Sequence, residues 1–170
     1  MYIFIFLWSP ALTSLQDQVD VSNGRIIEGA EKEDSELPFG WIFSSFMVCC
    51  MLGSIAFSRL STAGVSASKS LVGILALSSI SCLAMASTTS NVTSSALSPQ
   101  YMGMLIYEFC IGLYFPAIGT LKATLVPEAE RSAIYNVFRL PLNLIVLGWL
   151  VGDFTVQNTF FAIALLLMVM

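Results

Sequence analysis

Long apolar runs separated by polar segments are the main pattern of this chain. Six runs are almost free of charge, and the four interior runs have about the length that an α-helix needs to cross roughly 30 Å of hydrocarbon. The pattern therefore predicts an all-α membrane protein with six membrane-spanning helices. We expect these spans at 1–12, 38–58, 70–87, 101–121, 132–152 and 159–170.

The first and the last apolar run are shorter than the others. Residues 1–12 and 159–170 are each too short to cross a bilayer alone. We therefore expect the chain to be a fragment of a longer protein, with both terminal helices cut short. A secretory signal peptide is the alternative for residues 1–12, but such a peptide begins with a basic segment and this one does not.

Basic residues predict the orientation of the helices. Arg59, Lys69, Lys122 and Arg131 lie in the second and fourth loops, whereas the third loop, 88–100, has no charge and the first, 13–37, is acidic. Loops rich in lysine and arginine stay in the cytoplasm, so the first, third and fifth loops are expected outside. Asn91 begins an Asn-Val-Thr glycosylation sequon in the third loop, on the side where glycosylation occurs.

Composition removes several classes of function. The chain is 56% hydrophobic and 11% charged, and its net charge of -4 offers no basic surface to nucleic acid. It contains no histidine, and its four cysteines lie in apolar runs. No nucleophile and base, phosphate-binding loop or metal-ligand spacing is recognisable. We therefore expect no enzyme, no cofactor, no metal and no nucleic-acid partner, and we expect the lipid bilayer as the surroundings.

Two ionisable residues lie inside the predicted spans. Glu108 is in the fourth and Arg139 is in the fifth. A charge in hydrocarbon costs on the order of 3 kcal/mol, so both are candidates for a functional site. They form either a structural ion pair between neighbouring helices, or a site in which Arg139 binds an anion in an aqueous cavity and Glu108 couples protons.

Prolines and amides accompany these charges in the same two spans. Pro116 and Pro141 each remove a backbone hydrogen bond, which predicts a helix kink either for packing or beside a cavity. Asn136 and Asn143 are seven residues apart, and Arg139 lies between them on the same helical face. This polar stripe must face water or protein, and it is the best candidate for a pore-lining surface.

Small residues in the second and third spans predict close helix packing. Gly53 and Ser54 lie in the second span, and Ser81 lies in the third. Residues of this size allow two backbones to approach each other within a membrane. We assign them a packing role and no chemistry.

The stretch YEFCIGLYFPAIGTLKATLVPEAERSAIYNVFRLPLNLI, residues 107–145, resembles the molybdate-anion transporter family of the major facilitator superfamily. An acidic residue, a Gly-Leu-Tyr-Phe-Pro run, a Pro-Glu loop and an Asn-x-Phe-Arg-x-Pro motif follow one another in that family's order. YIFIFLWSPAL and FGWIFSSFMVCCMLGS also resemble its seventh and eighth helices. The resemblance implies that residues 1–170 are helices seven to twelve, the C-terminal half of a twelve-helix transporter that works by alternating access.

The resemblance also implies a substrate and a partner. Molybdate is a tetrahedral dianion, and Arg139, Asn143, Tyr114 and Asn136 are the expected substrate-binding residues. The expected partner is the missing N-terminal six-helix half, and the expected location is the plasma membrane or an endomembrane. The alternatives are a transporter of another solute, such as a sugar or an organic anion, and a membrane scaffold or sensor that transports nothing.

Overall fold

The structure is a computed structural model that describes residues 2–22, 24, 37–90, 95–127, 130–152 and 155–169. Within these ranges every regular element is an α-helix. The helices follow the predicted apolar runs in order, so the all-α prediction is confirmed for this part of the chain. They are α1 (Tyr2–Ser22), α2 (Phe39–Thr62), α3 (Ala67–Ser90), α4 (Leu97–Leu125), α5 (Arg131–Val151) and α6 (Val156–Val169).

Three of the described helices, α2, α3 and α4, are long and apolar enough to cross a membrane. A shorter apolar helix lies at Val156–Met168. Many of the exposed side chains of α2 are large and hydrophobic, and Trp41 near its start is 81% exposed. Aromatic residues at a helix end are typical of the boundary between lipid and water. Spans at all six predicted positions stay a prediction.

The first helix is longer than the sequence pattern predicted. A loop was expected from Thr13, but α1 continues to Ser22. The reason is that Leu15 and Val19, one helical turn apart, are buried against Ala96 at the start of the fourth helical segment. Tertiary packing therefore keeps this polar stretch helical although its hydropathy is low.

Helix α4 is the centre of the packing. It packs against α2 on one side and α3 on the other, while α3 also packs against α6 and α1 contacts α4. Ser81 Oγ donates to the Gly103 carbonyl at 2.6 Å, which joins α3 to α4 and supports the packing role predicted for Ser81. The central cluster of buried side chains comes from five helices and includes Phe4, Phe46, Met85, Met104 and Phe160.

Candidate functional site

Glu108 is a buried acid in the middle of α4. Only 7% of the residue is exposed. A carboxyl group in such surroundings either holds a proton or needs a cationic partner.

Arg139, Asn136 and Asn143 lie along one face of α5, and all three are exposed. Their neighbours Leu140 and Leu144 are 73% and 71% exposed, so the polar stripe runs through an otherwise apolar surface. The guanidinium group presents a rigid fork of donors, and each amide adds two more. The stripe can therefore bind a group with several acceptor oxygens.

The structure places Glu108 and Arg139 in different surroundings. One is buried within the packed helices and the other is exposed on α5. Among the described residues, the backbones of α4 and α5 approach each other at fewer points than those of α1 and α5 do. The ion pair between Glu108 and Arg139 stays a prediction.

Tyr114 and Pro116 lie two residues apart on α4, and both are partly buried. The Tyr114 ring packs against the Phe115 ring, with 6.1 Å between centroids. The helix continues through Pro116, as α5 does through Pro141. Tyr114 and Asn136 therefore belong to different helices, and their approach to one substrate stays a prediction.

Pro116 has a specific partner on α2. Proline has no N–H, so Pro116 leaves the carbonyl of Gly112, four residues earlier, without its helical donor. Ser54 Oγ lies 3.0 Å from that carbonyl and 3.3 Å from the Cys50 carbonyl of its own helix, so the shorter of its two hydrogen bonds is the one to α4. The serine of one helix thus replaces the backbone donor that the proline removed from the other.

Two glycines bring these helices into backbone contact. A Cβ on Gly112 would overlap the Cys50 carbonyl, and a Cβ on Gly53 would overlap the Phe109 carbonyl. Glycine is therefore required on both sides of the α2–α4 crossing, which is what lets Ser54 reach α4. The packing role predicted for Gly53 and Ser54 is confirmed.

Lys122 and Tyr135 join the end of α4 to the start of α5. The Lys122 ammonium group lies 4.8 Å from the centre of the Tyr135 ring, within range of a cation–π interaction. Both residues are on the side that the distribution of basic residues assigns to the cytoplasm. Lys122 is exposed and lies near the predicted inner mouth.

Gln100 is a buried polar residue that sequence reasoning missed. The sequence pattern assigned it to the third loop, but it lies in the first turn of α4 and is 0% exposed. Both side-chain amide atoms lack a hydrogen-bond partner. Pro99 was the available signal, because proline is favoured in the first turn of a helix and would have moved the predicted start before Gln100.

Two other predictions concern sites rather than helices. Asn91, the predicted glycosylation site, lies outside the described residues. In the part of the chain that the structure describes, no three histidine, cysteine, aspartate or glutamate residues are grouped so that they could hold a metal ion.

Comparison with known proteins gives the class of this chain. A family model of the major facilitator superfamily, described as "Sugar-transporters, 12 TM", matches residues 1–114. The chain belongs to this family of membrane transporters, as the motifs of its fourth and fifth helices predicted.

The relatives point to a particular group within that class. The chain is 33% identical over 158 residues to a molybdate-anion transporter of Xenopus tropicalis. This aligned region covers 89% of this chain and 29% of the relative. It is 30% identical to the Xenopus laevis protein of the same name, over 89% of this chain and 30% of the relative. The Takifugu rubripes molybdate-anion transporter is 29% identical, over 85% of this chain and 26% of the relative.

The chain thus spans between 26% and 30% of the length of these relatives. No solved structure matches it.

Proposed function

We propose that this chain is part of a transporter that carries a small tetrahedral oxyanion, molybdate, across a membrane by alternating access. Its similarity to molybdate-anion transporters over most of its length supports this substrate. In this proposal the six helices are the C-terminal half of a twelve-helix fold, and the partner is an N-terminal six-helix half. The plasma membrane is the proposed location, with an endomembrane as the alternative.

The polar stripe on α5 is the observation that carries the proposal. A charged side chain facing lipid costs on the order of 3 kcal/mol, so the exposed Arg139 needs water or protein in front of it. It lies eight residues into α5, which is roughly 12 Å along the helix axis. That depth suits a central, water-filled cavity.

The chemistry of the stripe matches a dianion. An oxyanion in a low-dielectric cavity needs compensating positive charge and several oriented donors. Arg139 supplies the charge and paired N–H groups, Asn136 and Asn143 supply amide N–H groups, and Tyr114 supplies a hydroxyl. Any further positive charge comes from Lys122 at the inner mouth or from the other half of the transporter.

Glu108 has one of two roles in this proposal. It carries a proton, which would offset part of the charge of an entering dianion, or it pairs with Arg139 in another conformation of the transport cycle. Pro116 and Pro141, which interrupt the hydrogen bonding of these two helices, are the proposed points of bending.

The test is molybdenum accumulation in molybdate-starved cells that express the longest natural product containing this chain. We expect saturable uptake that the Arg139→Gln variant loses at equal surface abundance. Arg59→Gln is the matched control, because Arg59 is also exposed but lies in the last turn of α2. Absence of uptake by the unmodified protein, once it is shown to reach the membrane, contradicts the choice of molybdate.

A different solute on the same scaffold is the second candidate, and the family description favours a sugar. Competition during uptake separates the candidates. Excess sulfate should compete with molybdate for an oxyanion site, whereas a hexose or an organic anion should compete only if the alternative holds.

A membrane scaffold or sensor is the remaining alternative, in which Glu108 and Arg139 only hold helices together. The charge-reversed double variant, Glu108→Arg with Arg139→Glu, would then restore folding and all activity. A substrate-binding Arg139 predicts that this double variant stays inactive in transport even when it reaches the membrane.

A further inference from the structure

Gln100 has hydrogen-bonding capacity that nothing in the described residues uses. Its side chain is 0% exposed, and both Nε2 and Oε1 are without partners. A primary amide offers two donors and two acceptor lone pairs. Native proteins rarely bury such a group unpaired, so each case calls for an explanation, such as a function, an ordered water or an ion.

Packing alone does not explain an amide at this position. One turn deeper on the same face of α4, Met104 is also 0% exposed and fills its place without any polar atom. Methionine has about the length of glutamine, so an apolar residue of this size suits the interior of these helices. The amide therefore adds a cost that packing does not require.

An apolar cluster lies between Gln100 and the predicted outer surface. Leu15 and Val19 of α1 pack with Ala96, one turn from Gln100 toward the start of α4. Beside Gln100, Tyr101 and Ser45 share a hydrogen bond of 2.5 Å between α4 and α2. Polar groups thus begin directly beneath an apolar seal formed by α1 and α4.

Two tyrosines follow Gln100 along α4. Tyr107 and Tyr114 follow at intervals of seven residues, so the three groups lie on nearly the same face, about 10 Å apart. Tyr114 is one of the proposed substrate-binding residues. Buried apolar side chains, Met104 and Ile111, separate these groups on the same face, so Gln100 lies at its outer end and Tyr114 at the end nearer that site.

We propose that Gln100 is a further binding residue for the transported oxyanion, reached from the outer side when Leu15 and Val19 separate from Ala96. Nε2 then donates to an oxyanion oxygen, and Oε1 accepts from a water that enters with the solute. In the conformation described here the seal is closed and the amide is unpaired. This inference rests on the proposed oxyanion transport and adds a site near its outer entrance.

The test compares initial uptake rates over a range of external molybdate concentrations, in the longest natural product containing this chain. Gln100→Met keeps the length of the side chain and removes the amide. We expect it to raise the KM for external molybdate about tenfold, which is the loss of one hydrogen bond to a charged group. The KM for cytoplasmic molybdate, measured from initial rates of efflux, should stay within twofold of the value for the unmodified protein.

Gln157→Met is the matched control. Gln157 is near the start of α6, and its Nε2 donates to Ser90 Oγ at 2.6 Å, so its amide already has a partner. We expect its KM to stay within twofold on both sides. Gln100→Asn, which retains a shorter amide, should recover part of the affinity that Gln100→Met loses.

Three results would overturn the inference in distinguishable ways. An unchanged external KM and an unchanged melting temperature in Gln100→Met, with normal uptake by the unmodified protein, remove Gln100 from the site and leave the proposed function intact. An unchanged KM with a lower melting temperature means that Gln100 holds a structural water. Absence of oxyanion uptake by the unmodified protein overturns the proposed function and this site together.

Discussion

At the scale of single residues, the glycines of α4 differ in what surrounds them. Gly112 faces the backbone of Cys50, whereas Gly119, seven residues later in the same helix, has nothing within 4 Å of the position a Cβ would take. Backbone atoms cannot move aside as a flexible side chain can. The same substitution should therefore have opposite effects at the two positions.

We predict that Gly112→Ala lowers the free energy of unfolding by about 3 kcal/mol, because the added methyl group pushes α2 and α4 apart. Gly119→Ala should raise it by about 0.5 kcal/mol, because alanine loses less backbone entropy in a helix. Thermal unfolding in detergent, followed by tryptophan fluorescence, measures both. Equal effects of the two substitutions would mean that the close contact at Gly112 is absent.

The sequence predicted single residues unevenly. Gly53 and Ser54 were recognisable because small residues in an apolar run favour close helix packing, and the stripe through Arg139 was recognisable from its spacing. The bond from Ser54 to the carbonyl freed by Pro116 was not, because nothing in a sequence gives the register of two helices that are far apart along the chain. The burial of Gln100 was missed because its serine-rich and uncharged neighbourhood has the composition of a loop.

At the scale of helices, α2 and α4 are joined by a bond that depends on a proline. Ser54→Ala should lower the free energy of unfolding by about 1 kcal/mol, because the Gly112 carbonyl then has no donor. In a Pro116→Ala background the backbone N–H returns to that carbonyl. There the same serine substitution should cost only a few tenths of a kcal/mol.

The unmodified protein, the two single variants and the double variant form a double-mutant cycle measured by thermal unfolding. Ser44→Ala is the control, because Ser44 Oγ bonds within its own helix, to the Gly40 carbonyl at 2.7 Å. Ser44→Ala should lower the free energy of unfolding by the same amount whether residue 116 is proline or alanine. If Ser54 also behaves additively with Pro116, the serine does not replace the missing donor.

The second half of α1 gives another prediction at this scale. Leu15→Ser should lower the free energy of unfolding by about 2 kcal/mol, because Leu15 is 1% exposed beside Ala96. Val21→Ser should change it by less than about 0.5 kcal/mol, since Val21 is 62% exposed in the same helix. Thermal unfolding measures both, and a small effect of Leu15→Ser would mean that the end of α1 does not pack on α4.

At the scale of the whole molecule, the described helices differ in how they pack against their neighbours. Helix α2 packs against α4, α4 packs against α3, and α3 packs against α6. The side-chain contacts described for α5 lie toward its two ends, where Tyr135 meets Lys122 and Trp149 Nε1 donates to Thr159 Oγ1 at 3.3 Å. The order of the helices followed from hydropathy alone. The difference in packing between α5 and the other helices did not, because hydropathy does not distinguish a side facing lipid from a side facing a partner.

Since Glu108 and Arg139 belong to these two differently attached parts, we predict that they contribute independently to stability. The effects of Glu108→Gln and Arg139→Gln on the free energy of unfolding should add within about 0.5 kcal/mol. Neutral substitutions keep the comparison free of buried like charges. A coupling above about 1 kcal/mol would show that the two residues form an ion pair in the folded protein.

The loose attachment of α5 has a consequence for evolution. Where α2 crosses α4, any side chain larger than that of glycine at Gly53 or Gly112 would overlap backbone atoms. Residues exposed on α5, such as Leu140 and Leu144, can change without pushing two backbones apart. Under the proposed function, a change of cargo would then require substitutions on this one helix and no rebuilding of the packed helices.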